Sequence, residues 1–213
     1  IDDGSCEYPP VEGCMDSNAT NYDSAAEIDD GSCEYPPVEG CMDPDATNYD
    51  SEAEEDDGSC EYVCELVPYG HCSGEDLSGQ DLTEMNLTGI DLSFADLSGA
   101  DLFLSDLTGA YLEGADLTHA HLEYADLRYV DLTDANLYGA SLPEADLTGA
   151  NLTYANLEYA DLRYVDLTDA DLTNAWLWYA EFTDAIVANT DFTDTYWYET
   201  IWIDGEMYNE NQA

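Results

Sequence analysis

The sequence predicts an all-β protein in which a square solenoid follows small, loop-rich repeats stapled by disulfides. Two periods support this fold class: a leucine at every fifth position in the second part of the chain, and a 27-residue period with clustered cysteines in the first part. An apolar residue at every fifth position fits neither the helical nor the strand period. A chain that turns a corner every five residues explains it, because four such corners complete one square coil.

The five-residue period continues without a gap. Leucine occupies every fifth position from Leu77 to Leu177, and other apolar residues continue the register at Phe182, Val187, Phe192, Trp197 and Trp202. From Ala95 on, alanine mostly stands two positions before each of these residues, so we expect large and small apolar side chains to point inward together. Glycine often stands two positions after leucine, as at Gly79, where it supplies the positive φ that a type II turn requires.

The pentads also carry a recognisable motif. The segment EADLTGANLTYANLEYADL, from Glu144 to Leu162, resembles the pentapeptide-repeat family, whose motif reads A-(D/N)-L-x-x. The resemblance covers residues 75–204, about 26 pentads, and implies a right-handed quadrilateral β-helix there. Residues 205–213 are expected to form a C-terminal tail.

The first part of the chain carries all seven cysteines, between Cys6 and Cys72. Clustered, regularly spaced cysteines indicate a disulfide framework made in an oxidising compartment. A zinc site is the weaker alternative, because no Cys-x2-Cys pair is present. Pairing within each 27-residue unit is the economical arrangement, although exchange between neighbouring units stays open. It joins Cys14 to Cys33, Cys41 to Cys60 and, across a short loop, Cys64 to Cys72.

We assign residues 1–63 to these acidic repeats, the first of them truncated, and residues 64–74 to a disulfide-closed linker or cap. The repeats resemble the cysteine-bounded DPxATNYxxxAxxDDGSC repeats of large secreted bacterial surface proteins, a resemblance that implies no defined activity. Cys6 is left over. Its partner is expected either before Ile1, in a longer repeat array, or in a neighbouring chain.

The charge of the chain limits the classes of partner that it can bind. It has 50 acidic residues and a total of two lysines and arginines, for a net charge of −48. Nucleic acid and anionic membrane surfaces repel such a chain, and no apolar run approaches the ~18 residues that a membrane helix needs. Divalent cations, basic proteins and further copies of the chain remain as partners. Because no nucleophile motif, phosphate loop or HExxH motif is present, we expect no enzyme and no catalytic residue.

The cysteine-bounded units concentrate the oxygen ligands that calcium prefers, which are carboxylate, amide and carbonyl oxygens. We therefore predict calcium binding by two equivalent sets of side chains. These are Asp16, Asn18, Asn21, Asp23, Asp29 and Asp30 in one unit, and Asp43, Asp45, Asn48, Asp50, Asp56 and Asp57 in the next. The alternative is that the same side chains cap turns through Asx hydrogen bonds.

The solenoid suggests a second cation site, because residues 20 positions apart stack on one face. One outward column is expected to contain Asp106, Asp126, Asp146 and Asp166. Neighbouring carboxylates about 5 Å apart repel by about 1 kcal/mol in water. Either hydrogen bonds within the turns or a ladder of bridging cations is needed to relieve that repulsion.

Aromatic residues concentrate in the later pentads, where several fall at outward positions. Exposed aromatic residues often mark an interface, and ring ladders along one face are the alternative. We predict an interface at Trp178, Tyr179, Trp197, Tyr198 and Trp202. Candidate glycosylation sites begin the Asn-x-Thr triplets at Asn18, Asn86 and Asn151.

These features favour a structural protein outside the cell or on its surface. We expect a protomer of a calcium-stabilised fibre or surface stalk, in which copies join head to tail and the end of the solenoid meets the cysteine-rich units of the next copy. One alternative follows from the family resemblance, since some pentapeptide-repeat proteins mimic DNA with an acidic rod and inhibit topoisomerases. The disulfides disfavour it, because such inhibitors act in a reducing cytosol. Another alternative is an adhesin that binds glycans with its aromatic residues.

Overall fold

The computed structural model describes residues 9–208, and the chain divides into two compact units between Tyr62 and Val63. No helix occurs within the described residues, and accordingly none that is long and apolar enough to span a membrane. The strands are short: β1 (Glu12–Gly13), β2 (Ile28–Asp29), β3 (Glu39–Gly40), β4 (Glu55–Asp56), β5 (Thr200–Ile201) and β6 (Met207–Tyr208). Cys6 lies outside the described residues, so its pairing stays a prediction.

The first cysteine-rich repeat is a loop closed on itself. Strands β1 and β2 pair in parallel, and a disulfide joins Cys14 to Cys33, whose Cα atoms are 4.7 Å apart. The buried apolar side chains of this repeat are those of Cys14 and Ala19. Because so small a core cannot hold a fold by apolar burial alone, the disulfide is a necessary part of it.

The second repeat copies the first at a distance of 27 residues. Strands β3 and β4 pair in parallel, and a disulfide joins Cys41 to Cys60, with 4.8 Å between the Cα atoms. Thr47 N donates to Glu61 O at 2.7 Å, as the equivalent threonine does in the first repeat. The repeated sequence therefore specifies a repeated structure.

The second unit is a quadrilateral β-helix, as the sequence predicts. Parallel β-bridges join residues 20 positions apart, from the pair His71 and Asp91 to the pair Glu181 and Ile201. Four pentads therefore make one coil. The inward positions from Leu87 to Phe182 are all buried and, apart from one serine, form a continuous apolar core.

Interior coils satisfy their backbone groups in a regular way. Asp96 N donates to Glu75 O of the preceding coil at 2.9 Å. Leu97 N and Gly99 N donate forward to the following coil at 2.7 and 2.8 Å, while Ala100 N closes the turn on Leu97 O at 3.0 Å. Two backbone N–H donors of each pentad thus point towards the next coil.

The corner residue two positions after each inward leucine has a positive φ whether or not it is glycine. Gly149 has a φ of 68°, and Tyr129, in the same column one coil earlier, has a φ of 58°. The ring of Tyr129 lies over Gly149, so that a Cβ added there would be 2.7 Å from the ring. The sequence predicts glycine in this role. Other residues adopt the same conformation because the hydrogen bonds between coils and the apolar core fix the turn on both sides.

The regular coil begins one pentad earlier than the sequence predicts. His71 forms the first β-bridge, and Cys72, 1% exposed, takes the inward position that leucine takes in later coils. Its disulfide partner Cys64 packs against the same core together with Leu66. Segment 64–74 therefore covers this end of the core and contributes its last residues to the first coil.

The other end of the core holds a cluster of aromatic side chains. Ring centroids lie 4.8 to 6.3 Å apart among Phe182, Phe192, Trp197 and Trp202. After this cluster the chain reverses, and β5 pairs with β6 in antiparallel fashion. Part of the expected C-terminal tail is therefore the second strand of a hairpin.

Candidate functional site

Most of the predicted calcium ligands of the cysteine-rich repeats make hydrogen bonds within the repeat. Eight aspartates each accept a hydrogen bond from the backbone N–H two residues further on, which is an Asx turn. They are Asp16, Asp23, Asp29 and Asp30, and their equivalents Asp43, Asp50, Asp56 and Asp57. Four predicted ligands remain: Asn18 and Asp45 are exposed, while Asn21 and Asn48 form other hydrogen bonds within their repeats.

In each repeat an asparagine and a tyrosine form further hydrogen bonds to distant residues of the same repeat, and we call this pair of side chains the lock. Asn21 Nδ2 donates to Ser32 O at 2.5 Å, and Asn21 Oδ1 accepts from Glu34 N at 2.8 Å. The hydroxyl of Tyr35 donates to Asp16 Oδ2 at 2.8 Å, so both carboxylate oxygens of Asp16 have a donor. The pKa of Asp16 is lowered by these bonds, chiefly by the one from the backbone of residue 18.

The second repeat has the same lock, formed by Asn48 and Tyr62. The hydroxyl of Tyr62 donates to Asp43 Oδ2 at 2.7 Å, and this hydrogen bond raises the pKa of Tyr62 to about 12. Sequence analysis missed both tyrosines. Their signal is position, since each stands two residues after the second cysteine of its unit.

These contacts fit Asx turns better than a preformed calcium cage. Within residues 9–208, no three or more His, Cys, Asp or Glu side chains are grouped as a metal site requires. Calcium takes six to eight oxygen ligands, and here the aspartate oxygens instead satisfy backbone N–H groups. Calcium at the cysteine-rich units stays a prediction, and the residues do not form a ready cage for it.

The predicted acidic column is present on the β-helix. Bridges 20 residues apart connect Asp106, Asp126, Asp146 and Asp166. Each carboxylate accepts a hydrogen bond from the N–H two residues further on, at 2.9 to 3.3 Å. These turn hydrogen bonds relieve part of the repulsion between neighbouring carboxylates.

An arginine relieves more of the repulsion between the carboxylates of this column. Arg128 Nε and Nη2 lie 2.7 and 2.5 Å from the two carboxylate oxygens of Asp126, and Nε also lies 3.8 Å from Asp146 Oδ2. The hydrogen bond from Arg128 is the main reason that the pKa of Asp126 is lowered. Arg163 repeats this fork on Asp161, in the next column, and approaches Glu181 at 4.0 Å. These two arginines are the only lysine or arginine residues in the sequence. Both therefore pair with acidic side chains of the chain's own columns.

Asparagine replaces aspartate at intervals in these columns, and some of the asparagine side chains join neighbouring coils. Asn151 Nδ2 donates to Thr133 Oγ1 at 2.7 Å and approaches Asp131 Oδ1 at 3.3 Å. This amide is therefore engaged at one of the predicted glycosylation sites, where a glycan would displace both contacts. At Asn86 the side-chain oxygen accepts from the threonine of its triplet, and Asn18 is exposed.

Outward aromatic side chains form one connected surface on a face and an adjoining corner of the later coils. We call it the aromatic strip. Neighbouring ring centroids in it lie 4.6 to 6.4 Å apart. Its members are Tyr138, Tyr159, Trp176, Trp178, Tyr179, Tyr196 and Tyr198.

The strip contains three of the five residues predicted to form an interface, Trp178, Tyr179 and Tyr198. Trp197 and Trp202 instead lie half-buried in the aromatic cluster at the end of the core, because they occupy inward leucine positions. The predicted interface does not include Trp176 or the remaining tyrosines of the strip. The 20-residue column spacing is the signal that could have found them, since it stacks residue 176 on residue 196.

The last coil leaves an open backbone edge. In the preceding coil, Leu167 N and Asp169 N donate forward at 2.8 and 2.9 Å. Their counterparts in the last coil have no acceptor within residues 9–208, and the N–H groups concerned are those of Val187, Asn189, Phe192 and Asp194. The first coil carries open acceptors, since the carbonyl oxygens of Asp76 and Asp81 accept no backbone N–H in the described part of the chain. Such an edge is a template for pairing with another chain.

The β-helix agrees with a match to a known family. The model for pentapeptide repeats matches residues 72–109, 95–134, 105–142, 131–169 and 166–196, in eight copies. These segments together extend from residue 72 to residue 196, more than half of the chain. No curated protein matches the chain significantly in sequence.

Several solved structures are similar to the chain. HetL, a pentapeptide repeat protein involved in heterocyst differentiation regulation in the cyanobacterium Nostoc sp. strain PCC 7120, is 31% identical over 66% of this chain and 73% of its own, with a TM-score of 0.39. Rfr23 from the cyanobacterium Cyanothece 51142 is 27% identical over 62% and 90%, with a TM-score of 0.45. QnrB1, a plasmid-mediated fluoroquinolone resistance protein, is 16% identical over 62% and 90%, with a TM-score of 0.35.

Proposed function

The chain belongs to the pentapeptide-repeat family, and from this premise we propose that it is a structural protein that joins copies of itself head to tail. The assembly is a calcium-stabilised fibre or stalk outside the cell or on its surface. Proteins of this family are generally structural or interaction proteins rather than enzymes. The observation that carries the proposal is the open edge of the last coil.

The open edge favours a partner with the same backbone geometry. The free N–H groups of Val187 and Phe192 repeat the spacing of donors that pair with a following coil everywhere else in the solenoid. The N-terminal side of a second copy supplies that partner, because the first coil has free carbonyl oxygens and the cysteine-rich repeats lie before it in sequence. A half-buried aromatic cluster at the same end adds apolar surface for a neighbour to cover.

The disulfides support a location outside the cytoplasm. Structural disulfides persist in oxidising compartments and are rare in the reducing cytosol. Each cysteine-rich repeat depends on one, Cys14 with Cys33 and Cys41 with Cys60. A repeat closed by a disulfide suits a protein that must stay folded outside the cell.

Calcium acts in this proposal between coils and between copies rather than in a cage. The carboxylates of one column stand one coil apart, and Arg128 and Arg163 pair with acids in two of the columns. A net charge of −48 opposes contact between copies. Divalent cations that bridge carboxylates would lower that repulsion at the junction.

A variant that blocks the open edge tests the proposal. Val187→Pro removes one edge donor, and the control Val187→Ala also removes the valine side chain but keeps the N–H. We expect sedimentation velocity in calcium to give large assemblies for the wild type and for Val187→Ala, and mainly monomers for Val187→Pro. Equal assembly by the two variants would rule out pairing through this edge.

A DNA-mimicking inhibitor of a topoisomerase is the second candidate. The acidic columns favour it, since they set carboxylates at regular spacing along all four faces of the solenoid. The disulfide-stapled repeats speak against a cytosolic target. A supercoiling assay with purified topoisomerase separates the candidates, because the structural protein should leave the rate unchanged.

A further inference from the structure

We propose that the aromatic strip, with the carboxylates of Glu158 and Glu199, binds an arginine-rich segment of a partner protein. This surface lies on the side of the β-helix and is distinct from the edge that joins copies in the proposed assembly. It therefore gives the protein a second kind of partner, one that is basic.

The strip has the composition of an interface core. Trp176, Trp178 and Tyr198 are 48%, 40% and 44% exposed, and they belong to one connected set of rings. Tryptophan and tyrosine are the residues that most often dominate binding energy at interfaces. Tyr111, by contrast, is exposed without a ring contact to any described residue, and single exposed residues need no partner.

Carboxylates lie within the strip. Glu158 precedes Tyr159 in the chain and stands in one outward column with Tyr138 and Trp178, one coil from each. Glu199 follows Tyr179 in the corner column. Glu199 also directly follows Tyr198, whose ring centroid lies 5.4 Å from that of Tyr179. Burial raises the pKa of Tyr179, and the negative charge of Glu199 raises it further.

Aromatic faces next to carboxylates select cations. A guanidinium stacks on an indole or phenol ring by a cation–π interaction and accepts a carboxylate partner at its edge. The chain has no guanidinium of its own to place on the strip, because Arg128 and Arg163 are both paired within acidic columns. The cation therefore comes from outside this chain, and the net charge of −48 attracts basic segments over a distance.

The test compares two peptides of equal length and charge, one rich in arginine and one rich in lysine. Any acidic surface attracts both, whereas aromatic stacking favours arginine. We expect the arginine peptide to bind the wild type several-fold more tightly in calorimetry, and Trp178→Ala to lower its affinity by roughly threefold to tenfold. Tyr111→Ala is the matched control, because it removes an exposed ring that makes no ring contact, and it should leave affinity unchanged.

Glu158→Gln provides a second variant that keeps every ring and is expected to weaken binding of both peptides. Glu158→Gln takes the place of Trp178→Ala in the test if thermal melting shows that Trp178→Ala does not fold. Equal affinity for the two peptides would overturn the proposal, as would equal losses in Trp178→Ala and Tyr111→Ala. Tighter binding of a neutral oligosaccharide than of the arginine peptide would also overturn it and identify a glycan surface instead. Val187→Pro should bind the peptide normally, so failure of the assembly and failure of this site are distinguishable.

Discussion

The guanidinium of Arg128 forms a two-point contact with the carboxylate of Asp126, at 2.7 and 2.5 Å, and reaches towards Asp146 on the next coil. One cation thus sits between two members of an acidic column. The β-helix tolerates its charge partly through such pairs, partly through turn hydrogen bonds, and partly by placing asparagine among the aspartates.

Replacing this arginine should expose the repulsion that it offsets. Arg128→Gln is expected to lower Tm by about 1–3 °C at low ionic strength, the scale of a sub-kilocalorie change in a chain of this size. Added salt should reduce the difference, because it screens exposed charges. Adding Asp126→Asn to the variant should restore Tm, since the carboxylate is removed along with its partner; a Tm that stays low in the double variant would contradict this explanation.

Acid should leave the fold intact until the pH falls below the ordinary pKa of aspartate. Hydrogen bonds from turn residues lower the pKa of Asp76, Asp81 and Asp191 from the ordinary value of 3.8. A lowered pKa in the folded state contributes stability that is present above 3.8 and is lost as the pH falls through the folded-state pKa. Melting curves across a pH series should therefore show the decline in Tm below about pH 4. A decline between pH 7 and pH 5 would be inconsistent with this assignment.

The tyrosine lock of the second repeat should be visible in an alkaline titration. Because its hydrogen bond to Asp43 raises the pKa of Tyr62 to about 12, this phenol should ionise later than an ordinary tyrosine. The lock contributes stability below pH 10 that is lost as the pH rises through 12. Tyrosinate absorbance should lose a late component in Tyr62→Phe, and Asp43→Asn should shift that component towards pH 10. No change in either variant would show that the bond is absent in solution.

Two glycines of one corner column allow the cost of backbone strain to be measured separately from the cost of steric crowding. Gly109 and Gly149 have φ values of 64° and 68°, but an added Cβ meets nothing at Gly109 and lies 2.7 Å from the Tyr129 ring at Gly149. Gly109→Ala should cost roughly 1–2 kcal/mol from its conformation alone. Gly149→Ala should cost roughly 1–3 kcal/mol more, as over-packing does. Urea unfolding measures both, and equal losses would mean that the ring moves aside freely.

The solenoid was predictable because its core obeys a strict period. Leucine and alanine at fixed pentad positions specify which side chains point inward, and neither the helical nor the strand period satisfies that spacing. The start of the coil was not predictable in the same way, because Cys72 serves both as a disulfide partner and as an inward apolar residue. Positive φ at Tyr129 was also hidden, since no local signal replaces glycine there.

The candidate site was less accessible to sequence analysis. A dense set of aspartates is typical both of calcium ligands and of Asx turns, and only three-dimensional geometry shows where each Oδ1 points. Asp16, for example, has both oxygens occupied by donors from its own repeat. The aromatic strip depends on contacts between residues about 20 positions apart, such as Tyr159 with Tyr179 at 4.6 Å, so neighbouring sequence alone does not reveal it.

Electron microscopy of the purified chain, first in calcium and then after chelation with EGTA, tests the central claim most directly. Head-to-tail joining through the edge at Val187 and Phe192 predicts filaments in calcium whose repeat equals the length of one subunit, and their dissolution by EGTA. Monodisperse monomers at all calcium concentrations would contradict the account.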